Sequence, residues 1–302
     1  MEKAFVYGMS VGGNNFTDRI EETKRIKLDF ENGVNVILIS PRRMGKTSLI
    51  KKVISEIDNP MLKIVYMDIY DCRSEYDFYN RFAETIMRST GNHAEQVIEN
   101  IKRFLVRVSP KLSFSPEPNS EFSVSLGITP KNYSPEEILN LPERIAQEQG
   151  VRMVVCIDEF QQLANLPEYK DMEGKMRSVW QQQQLTSYCL YGSKRNMMLN
   201  IFNNSNSPFY RFGQVIFMQK IAKEHWVPFI LSSFEKTGKR ISESFASRIC
   251  DVVECHSWYL QQLCYFIWSF TVSEVTEEVF SLGLKQVLNI NTPMFQNDTE
   301  NL

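Results

Sequence analysis

Residues 34–48 read VNVILISPRRMGKTS, a short apolar run followed directly by a Gly-Lys-Thr sequence. The run 34–39 is rich in β-branched residues and is bounded by Gly33 and Pro41, which predicts a buried β-strand. The residues from Lys46 onward have the pattern of a helix, so the turn before them has the context of a phosphate-binding loop. Such a turn exposes backbone N–H groups at a helix N-terminus, where the helix dipole favours anions.

The side chains of this loop suit a nucleoside triphosphate. Gly45 lets the backbone approach a phosphate, Lys46 can reach the β- and γ-phosphates, and the Thr47 hydroxyl can ligate Mg²⁺. The pattern G-x-x-x-x-G-K-[ST] begins with glycine, whereas this chain has Ser40 there, a small residue that the turn can tolerate. A basic helix start with an accidental Gly-Lys-Thr is the alternative. The predicted nucleotide-binding residues of the loop are Ser40, Pro41, Arg42, Arg43, Met44, Gly45, Lys46, Thr47 and Ser48.

A pair of carboxylates follows a second apolar run. Residues 154–157, VVCI, lead into Asp158 and Glu159 at the predicted end of a strand. In ATPases with a phosphate loop, the Asp holds Mg²⁺ and the Glu orients and deprotonates the attacking water. An Asp-Glu pair can also simply begin a helix. The phosphate loop upstream favours the catalytic interpretation, because sites form at the carboxyl ends of parallel strands.

Short apolar runs alternate with amphipathic stretches along residues 1–219, which is typical of strand–helix units around a parallel sheet. The predicted strands are 34–39, 62–68, 153–158, 187–191 and 215–218, and the predicted helices are 46–57, 75–88, 94–106, 135–149 and 173–184. This order predicts an α/β fold, the parallel five-stranded sheet of a P-loop NTPase with helices on both faces. The segment 111–128, KLSFSPEPNSEFSVSLGI, predicts either a β-hairpin with one apolar face or a Ser/Pro-rich loop.

The pattern becomes purely helical after residue 219. Helices are predicted at 223–237, 242–254, 257–272 and 276–288, which make a small helical domain over 220–290. The polar residues 291–302 are predicted to be a disordered tail.

Composition and charge limit the classes of protein. The 302 residues include 34 Lys and Arg against 36 Asp and Glu, which excludes a strongly basic nucleic-acid coat protein but leaves room for a local basic patch. The start has no signal-peptide pattern, and no run of apolar residues is long enough for a membrane span. The 6 cysteines form no C-x-x-C pair, which fits reduced thiols better than a disulfide framework. These features predict a cytoplasmic protein without a membrane partner.

Several motifs, in a fixed order, resemble the archaeal-type ATPases of the AAA superfamily, which are related to the STAND NTPases and more distantly to archaeal replication initiators. They are FTDRIEE at 16–22, ISPRRMGKTSLI at 39–50, VVCIDEFQ at 154–161, Gly192-Ser193, and PFYRFG at 208–213. The resemblance implies a five-stranded parallel sheet whose inserted central strand carries the carboxylate motif. It also implies that the C-terminal helical domain is a lid.

The resemblance assigns roles to individual residues. Lys46 and Thr47 would bind phosphate and Mg²⁺, Asp158 would bind Mg²⁺, and Glu159 would act on the attacking water. Ser193 matches the position of a polar side chain that touches the γ-phosphate or the water. A helix N-cap is the alternative for Ser193.

Other parts of the resemblance concern the adenine and the neighbouring subunit. Phe16 and Arg19 would lie near the adenine, although Phe16 can equally be a core anchor. Arg211 would be an arginine finger if subunits associate, with an ordinary surface arginine as the alternative. The sequence HSWY at 256–259 begins the helix where related ATPases have a second sensor, and it contains no Arg.

The sequence therefore predicts an ATPase that uses ATP and Mg²⁺ to drive a conformational switch acting on an unknown protein partner. Ser40, the missing second-sensor Arg and the absence of a winged-helix domain after the lid favour the alternative of a nucleotide-gated regulatory or scaffold module with negligible turnover. DNA is a third candidate ligand, through Arg42, Arg43, Lys51 and Lys52, but the acidic balance of the chain does not support it.

Overall fold

The computed structural model describes residues 4–9, 11–12, 16–89 and 134–300, with side chains as far as residue 292. The predicted helix 94–106 and the predicted hairpin 111–128 lie outside the described residues. The chain divides into two compact units. The first comprises Met1–Thr23, Arg42–Lys52 and Met218–Leu302, and the second comprises Lys24–Pro41 and Val53–Phe217. The phosphate loop from Arg42 onward thus groups with the C-terminal helices, whereas the sequence predicts a single boundary at residue 219.

The second unit contains a parallel sheet of five strands, which are β1 (Val36–Ile39), β2 (Leu62–Asp68), β3 (Arg152–Asp158), β4 (Thr186–Gly192) and β5 (Gln214–Phe217). They lie in the order β2-β3-β4-β1-β5. This arrangement confirms the predicted α/β fold, but the strand that carries the carboxylate motif, β3, is second in the order and the central strand is β4. Strands β1, β3 and β4 are buried along nearly their whole length, which explains why their sequences are continuous apolar runs.

The helices of the sheet region follow the predicted order, but the helices at 20–31 and 195–202 are not among those predicted, and two others differ in extent. The helices are α1 (Ile20–Glu31), α2 (Lys46–Glu56), α3 (Glu75–Arg88), α4 (Pro135–Leu139), α5 (Leu141–Gln149), α6 (Tyr169–Trp180) and α7 (Arg195–Phe202). The predicted helix 135–149 is two helices that meet at Asn140, because Pro142 lacks an N–H and disfavours helical backbone before it. Helix α6 begins before the predicted residue 173, because its buried stripe of Met172, Met176 and Trp180 starts earlier.

Aromatic rings fill the core on one side of the sheet. The rings of Trp180 and Tyr188 stack with centroids 4.0 Å apart, and Phe160, Phe209 and Phe212 pack around Trp180. Offset aromatic pairs of this kind add to the stability gained from burial alone. The core therefore fixes the short 3₁₀ helix Phe160–Asn165, which follows the carboxylate pair.

The first unit contains the C-terminal helices α8 (Lys223–Glu235), α9 (Glu243–Val252), α10 (Ser257–Phe270) and α11 (Glu277–Glu300). Helix α11 continues beyond the predicted end at residue 288, through most of the predicted tail. The reason is Asn291, which is buried and donates a hydrogen bond to Gln262 Oε1 of α10 at 2.9 Å. Among the described residues, every helix is too short or too polar to span a lipid bilayer.

Candidate functional site

The loop between β1 and α2 has the backbone of an anion site. Arg43 and Gly45 have left-handed backbones, with φ of 64° and 91°. A Cβ on Gly45 would meet nothing within 4 Å, so the backbone conformation, rather than a lack of space, requires glycine there. Helix α2 has no acidic residue in its first turn, so the positive end of its dipole is left for a ligand. Ser40 is fully buried, which explains why only a small residue fits at the start of the loop.

A cavity of about 430 Å³ opens beside this loop, within the first unit. Ligand sites in proteins commonly have volumes of this order. Its walls come from three parts of that unit, namely the loop and start of α2 (Arg43, Met44, Gly45, Lys46, Thr47, Ser48, Lys51), the N-terminal segment (Val6, Tyr7, Gly8, Met9, Val11, Phe16, Thr17, Arg19) and the C-terminal part (Ile221, Trp226, Ser257, Trp258, Gln261). The predicted phosphate-binding and adenine-binding residues of this unit, apart from the exposed Arg42, thus line one cavity.

Arg19 has an unusual position in the cavity wall. The residue is 3% exposed, and its Nη1 donates to Glu22 Oε1 at 2.9 Å. Among the described residues, its Nη2 finds no hydrogen-bond acceptor. A buried donor without an acceptor costs about 1–3 kcal/mol, and the left-handed backbones of Asp18 and Arg19 add strain. Such features mark functional positions, so Arg19 is a candidate donor to a bound base.

Phe16 and Ser48, both predicted to bind the nucleotide, line the cavity and make further contacts. Phe16 is half-buried, with the Lys52 ammonium 5.6 Å from its ring centre, so it is a wall residue rather than a core anchor. The Ser48 hydroxyl accepts a hydrogen bond from the Val11 backbone N–H at 3.0 Å. Ser48 therefore holds the N-terminal segment against α2.

Trp258 is a cavity residue that the sequence reasoning missed. The Arg43 guanidinium carbon lies 4.4 Å from the centre of the Trp258 ring, which is cation–π distance. Tyr7 meets the same ring edge-on at 5.8 Å. The sequence showed only that the start of α10 has no Arg. In the structure this part of α10 lines the cavity with the Trp258 ring, next to Ser257 and Gln261.

The carboxylate pair lies in the second unit, at the end of β3. Asp158 is 5% exposed, and its Oδ1 accepts from the Glu159 backbone N–H at 2.8 Å. The Tyr66 hydroxyl lies 3.4 Å from Asp158 Oδ2 and donates to it. Burial, with the nearby charges of Asp158 and Asp68, raises the pKa of Tyr66 well above its ordinary value, so Tyr66 stays a neutral donor.

Glu159 has a left-handed backbone, with φ of 55°, between β3 and the 3₁₀ helix. Its Oε2 accepts from Ser193 Oγ at 2.9 Å and from Gln161 Nε2 at 2.5 Å. Ser193 is not a helix N-cap, because the capping position of α7 is Lys194. The structure thus brings Ser193 to the predicted catalytic carboxylate, together with Gln161, which the sequence did not single out.

Arg211 lies elsewhere in the second unit. It is exposed, has a left-handed backbone with φ of 54°, and stacks over Tyr210 at 5.2 Å. Arg42 is also exposed, as a loop arginine in the first unit. The role of Arg211 as an arginine finger between subunits stays a prediction.

Comparison with known proteins supports the fold. No protein-family model and no curated protein sequence matches the chain. The Walker-type ATPase of Pyrococcus abyssi is similar in structure, with a TM-score of 0.70 and 17% identity over 99% of this chain and 79% of that chain. The ORC2 protein of Aeropyrum pernix, in ADPNP and ADP complexes, has a TM-score of 0.60 and 11% identity over 94% of this chain and 71% of that chain. The ORC1 protein of the same organism, in complex with DNA, has a TM-score of 0.56 and 11% identity over 91% of this chain and 66% of that chain.

At sequence identities of 11% to 17%, the likeness of these structures to the chain is a likeness in fold. The chain has the fold of the P-loop ATPases of the AAA+ kind, as its loop and strand order also indicate. The relation to STAND NTPases stays a prediction.

Proposed function

We propose that this protein binds ATP in the cavity beside the loop and hydrolyses it to ADP and inorganic phosphate. The observation that carries the proposal is the loop itself. A left-handed Gly45 opens a helix whose first turn holds Lys46 and Thr47, and both side chains line a cavity of nucleotide size.

The cavity supplies distinct contacts for the two ends of ATP. Lys46 is 7% exposed, and a buried ammonium at a helix N-terminus suits the β- and γ-phosphates. Phe16 offers an aromatic face to the base, and the Arg19 Nη2 offers a donor to a ring nitrogen. The chain has no guanine-reading N-K-x-D motif. The preference for adenine as the base rests on the resemblance to the archaeal-type ATPases.

The carboxylate pair supplies the chemistry of hydrolysis. Glu159 accepts the proton of the attacking water while the water oxygen bonds to the γ-phosphorus and the bond to the bridging oxygen breaks. We assign Asp158 and the Thr47 hydroxyl as Mg²⁺ ligands, because hard oxygen donors suit this ion. Mg²⁺ held by these oxygens would neutralise charge on the phosphates.

The alternative is a nucleotide-gated regulatory or scaffold module. Two donors already engage Glu159 Oε2, so turnover could require a partner that rearranges them. Self-association through Arg211 is one such route. DNA, which the A. pernix ORC1 structure contains, is a further candidate partner, and its binding should weaken with salt.

Phosphate release from ATP and Mg²⁺, with binding measured by calorimetry, tests the proposal. We expect Lys46→Ala to abolish ATP binding, and Glu159→Gln to keep binding but lose turnover by about 100-fold or more. Glu168→Gln, at an exposed glutamate nearby, is the matched control and should retain wild-type turnover.

The outcomes separate the candidates. Wild-type turnover in Glu159→Gln would remove Glu159 from the mechanism. ATP binding without turnover at any protein concentration would favour the gated module. A specific rate that rises with protein concentration, and is lost in Arg211→Ala, would indicate action across subunits.

A further inference from the structure

Gln161 is a buried polar residue beside Glu159. It lies in the 3₁₀ helix Phe160–Asn165, and only 2% of it is exposed. Its Nε2 donates to Glu159 Oε2 at 2.5 Å, whereas its Oε1 is buried without a hydrogen-bond partner among the described residues. A buried acceptor without a donor destabilises the fold, so the bond to Glu159 is what favours this placement of the amide.

Strand β4 makes room for this amide at its last residue, Gly192. A Cβ on Gly192 would lie 1.8 Å from Gln161 Oε1 and 2.8 Å from Met198 Sδ. The Gln161 contact is far closer than real Cβ atoms approach, and Met198 ends in a flexible thioether that can shift. Gly192 does not have a left-handed backbone, so its conformation does not require glycine. The close approach of the Gln161 amide is what excludes a larger residue there.

Gln161 and Ser193 bind the same oxygen of Glu159 from two different elements. Ser193 follows β4, and Gln161 follows β3 by three residues. Glu159 itself has a left-handed backbone, so its side chain is not held by a regular helix or strand. Two donors from separate elements fix the torsions of a carboxylate more firmly than one donor does.

We propose that Gln161 is a positioning residue that holds Glu159 in the orientation for proton abstraction. The glycine at position 192 leaves the space that the Gln161 amide occupies. This inference rests on the proposed ATPase function. A general base must lie within hydrogen-bond reach of the proton it takes, and a misplacement of about 1 Å can cost roughly 100-fold in rate. Both Gln161 and Gly192 act through Glu159 rather than on the substrate.

The first test replaces the amide by a side chain of similar shape. In Gln161→Met, we expect kcat for ATP to fall by roughly 10- to 100-fold, with ADP affinity by calorimetry within about twofold of wild type. The readout is therefore a loss of kcat without a matching loss of nucleotide affinity. Gln162→Met, in the same 3₁₀ helix, is the control and should leave kcat and ADP affinity unchanged.

The second test uses Gly192→Ala, which displaces Gln161 without changing it. This variant should reproduce the fall in kcat when Gln161 is present. In a Gln161→Ala background the added methyl group has space, so Gly192→Ala should change kcat by less than about twofold. The effects of the substitutions at 161 and 192 on kcat would then be far from additive. Two residues with separate structural roles would give additive effects.

Three results would overturn the inference. They are a wild-type kcat in Gln161→Met, a fall in ADP affinity that matches the fall in kcat, and additive effects of the substitutions at 161 and 192. Wild-type protein is measured first. If it binds ATP without turnover, hydrolysis as the proposed function fails and the inference fails with it, a result distinct from the loss of kcat in the variants alone.

Discussion

Gly45 is the single residue on which the proposed phosphate site most depends. Its φ of 91° is one that residues with a Cβ rarely adopt, although the surrounding protein leaves space for a Cβ. The cost of a substitution there therefore comes from the backbone of the loop and from the ligand. Packing within the protein contributes little to it.

We expect Gly45→Ala to lower stability by about 1–2 kcal/mol and to weaken ATP binding by at least roughly tenfold. Thermal unfolding and calorimetry measure the two effects. Gly174→Ala is the matched control, because Gly174 is an exposed position inside α6 where a Cβ also meets nothing within 4 Å. That substitution should stabilise the protein by roughly 0.5–1 kcal/mol without changing ATP binding. Equal behaviour of the two variants would contradict the special role of the loop.

At the scale of elements, the contact between the loop and α10 connects the phosphate site to the C-terminal helices. Arg43 stacks on Trp258, and both side chains line the cavity. A guanidinium binds phosphate through charge-assisted hydrogen bonds, which are stronger than a cation–π contact at an exposed site. We expect Arg43 to leave the Trp258 ring when it binds a phosphate, so that the two partners compete for it.

This competition predicts opposite effects for the two partners. With inorganic tripolyphosphate as ligand, which has no base to contact Trp258, we expect Trp258→Leu to tighten binding by about two- to fivefold. Arg43→Met should weaken it, and Trp258→Leu should have no effect in the Arg43→Met background. Calorimetry at fixed ionic strength measures all four proteins. Weaker binding in Trp258→Leu would show that no such competition exists.

The sequence predicts the strands and the loop because each is encoded by a continuous stretch. An apolar run bounded by Gly and Pro, or a Gly-Lys-Thr at a helix start, is visible without knowing its neighbours. Gln161 and Trp258 were missed because their roles depend on what the fold places beside them, namely Glu159 and Arg43. The continuation of α11 was missed for the same reason, since Asn291 appears polar in the sequence but is buried against Gln262.

At the scale of the whole molecule, the compact units do not follow the order of the chain. The first unit is built from three separate segments, of which Arg42–Lys52 is the shortest, and the second unit from two. A single boundary at residue 219 is the natural prediction from a sequence, because the pattern changes to helices there. A pattern along the chain cannot show that the phosphate loop packs with helices that begin far downstream. The helical part is therefore unsuited to removal by truncation, since the loop would lose its packing partners.

Both units contain cysteines, so the reaction of these thiols with a labelling reagent can report the unfolding of each unit. All six thiols are free, with Cys72, Cys156 and Cys189 in the second unit and Cys250, Cys255 and Cys264 in the first. Five are buried and Cys255 is partly exposed. Burial raises the pKa of Cys72 to about 11 and that of Cys250 to about 12, which suppresses the reactive thiolate.

A thiol-alkylating reagent should therefore modify the native protein first at Cys255, and the other five only after unfolding. Mass spectrometry of peptides labelled at increasing urea concentrations would follow each unit through its own cysteines. Uptake of label at both sets over the same urea range would mean one cooperative transition, and separate ranges would give the order in which the units open. Fast labelling of Cys156 or Cys189 in native buffer would contradict the burial of β3 and β4. The protein thus carries two natural probes of unfolding in the first unit and three in the second, and its unfolding can be mapped without a single engineered substitution.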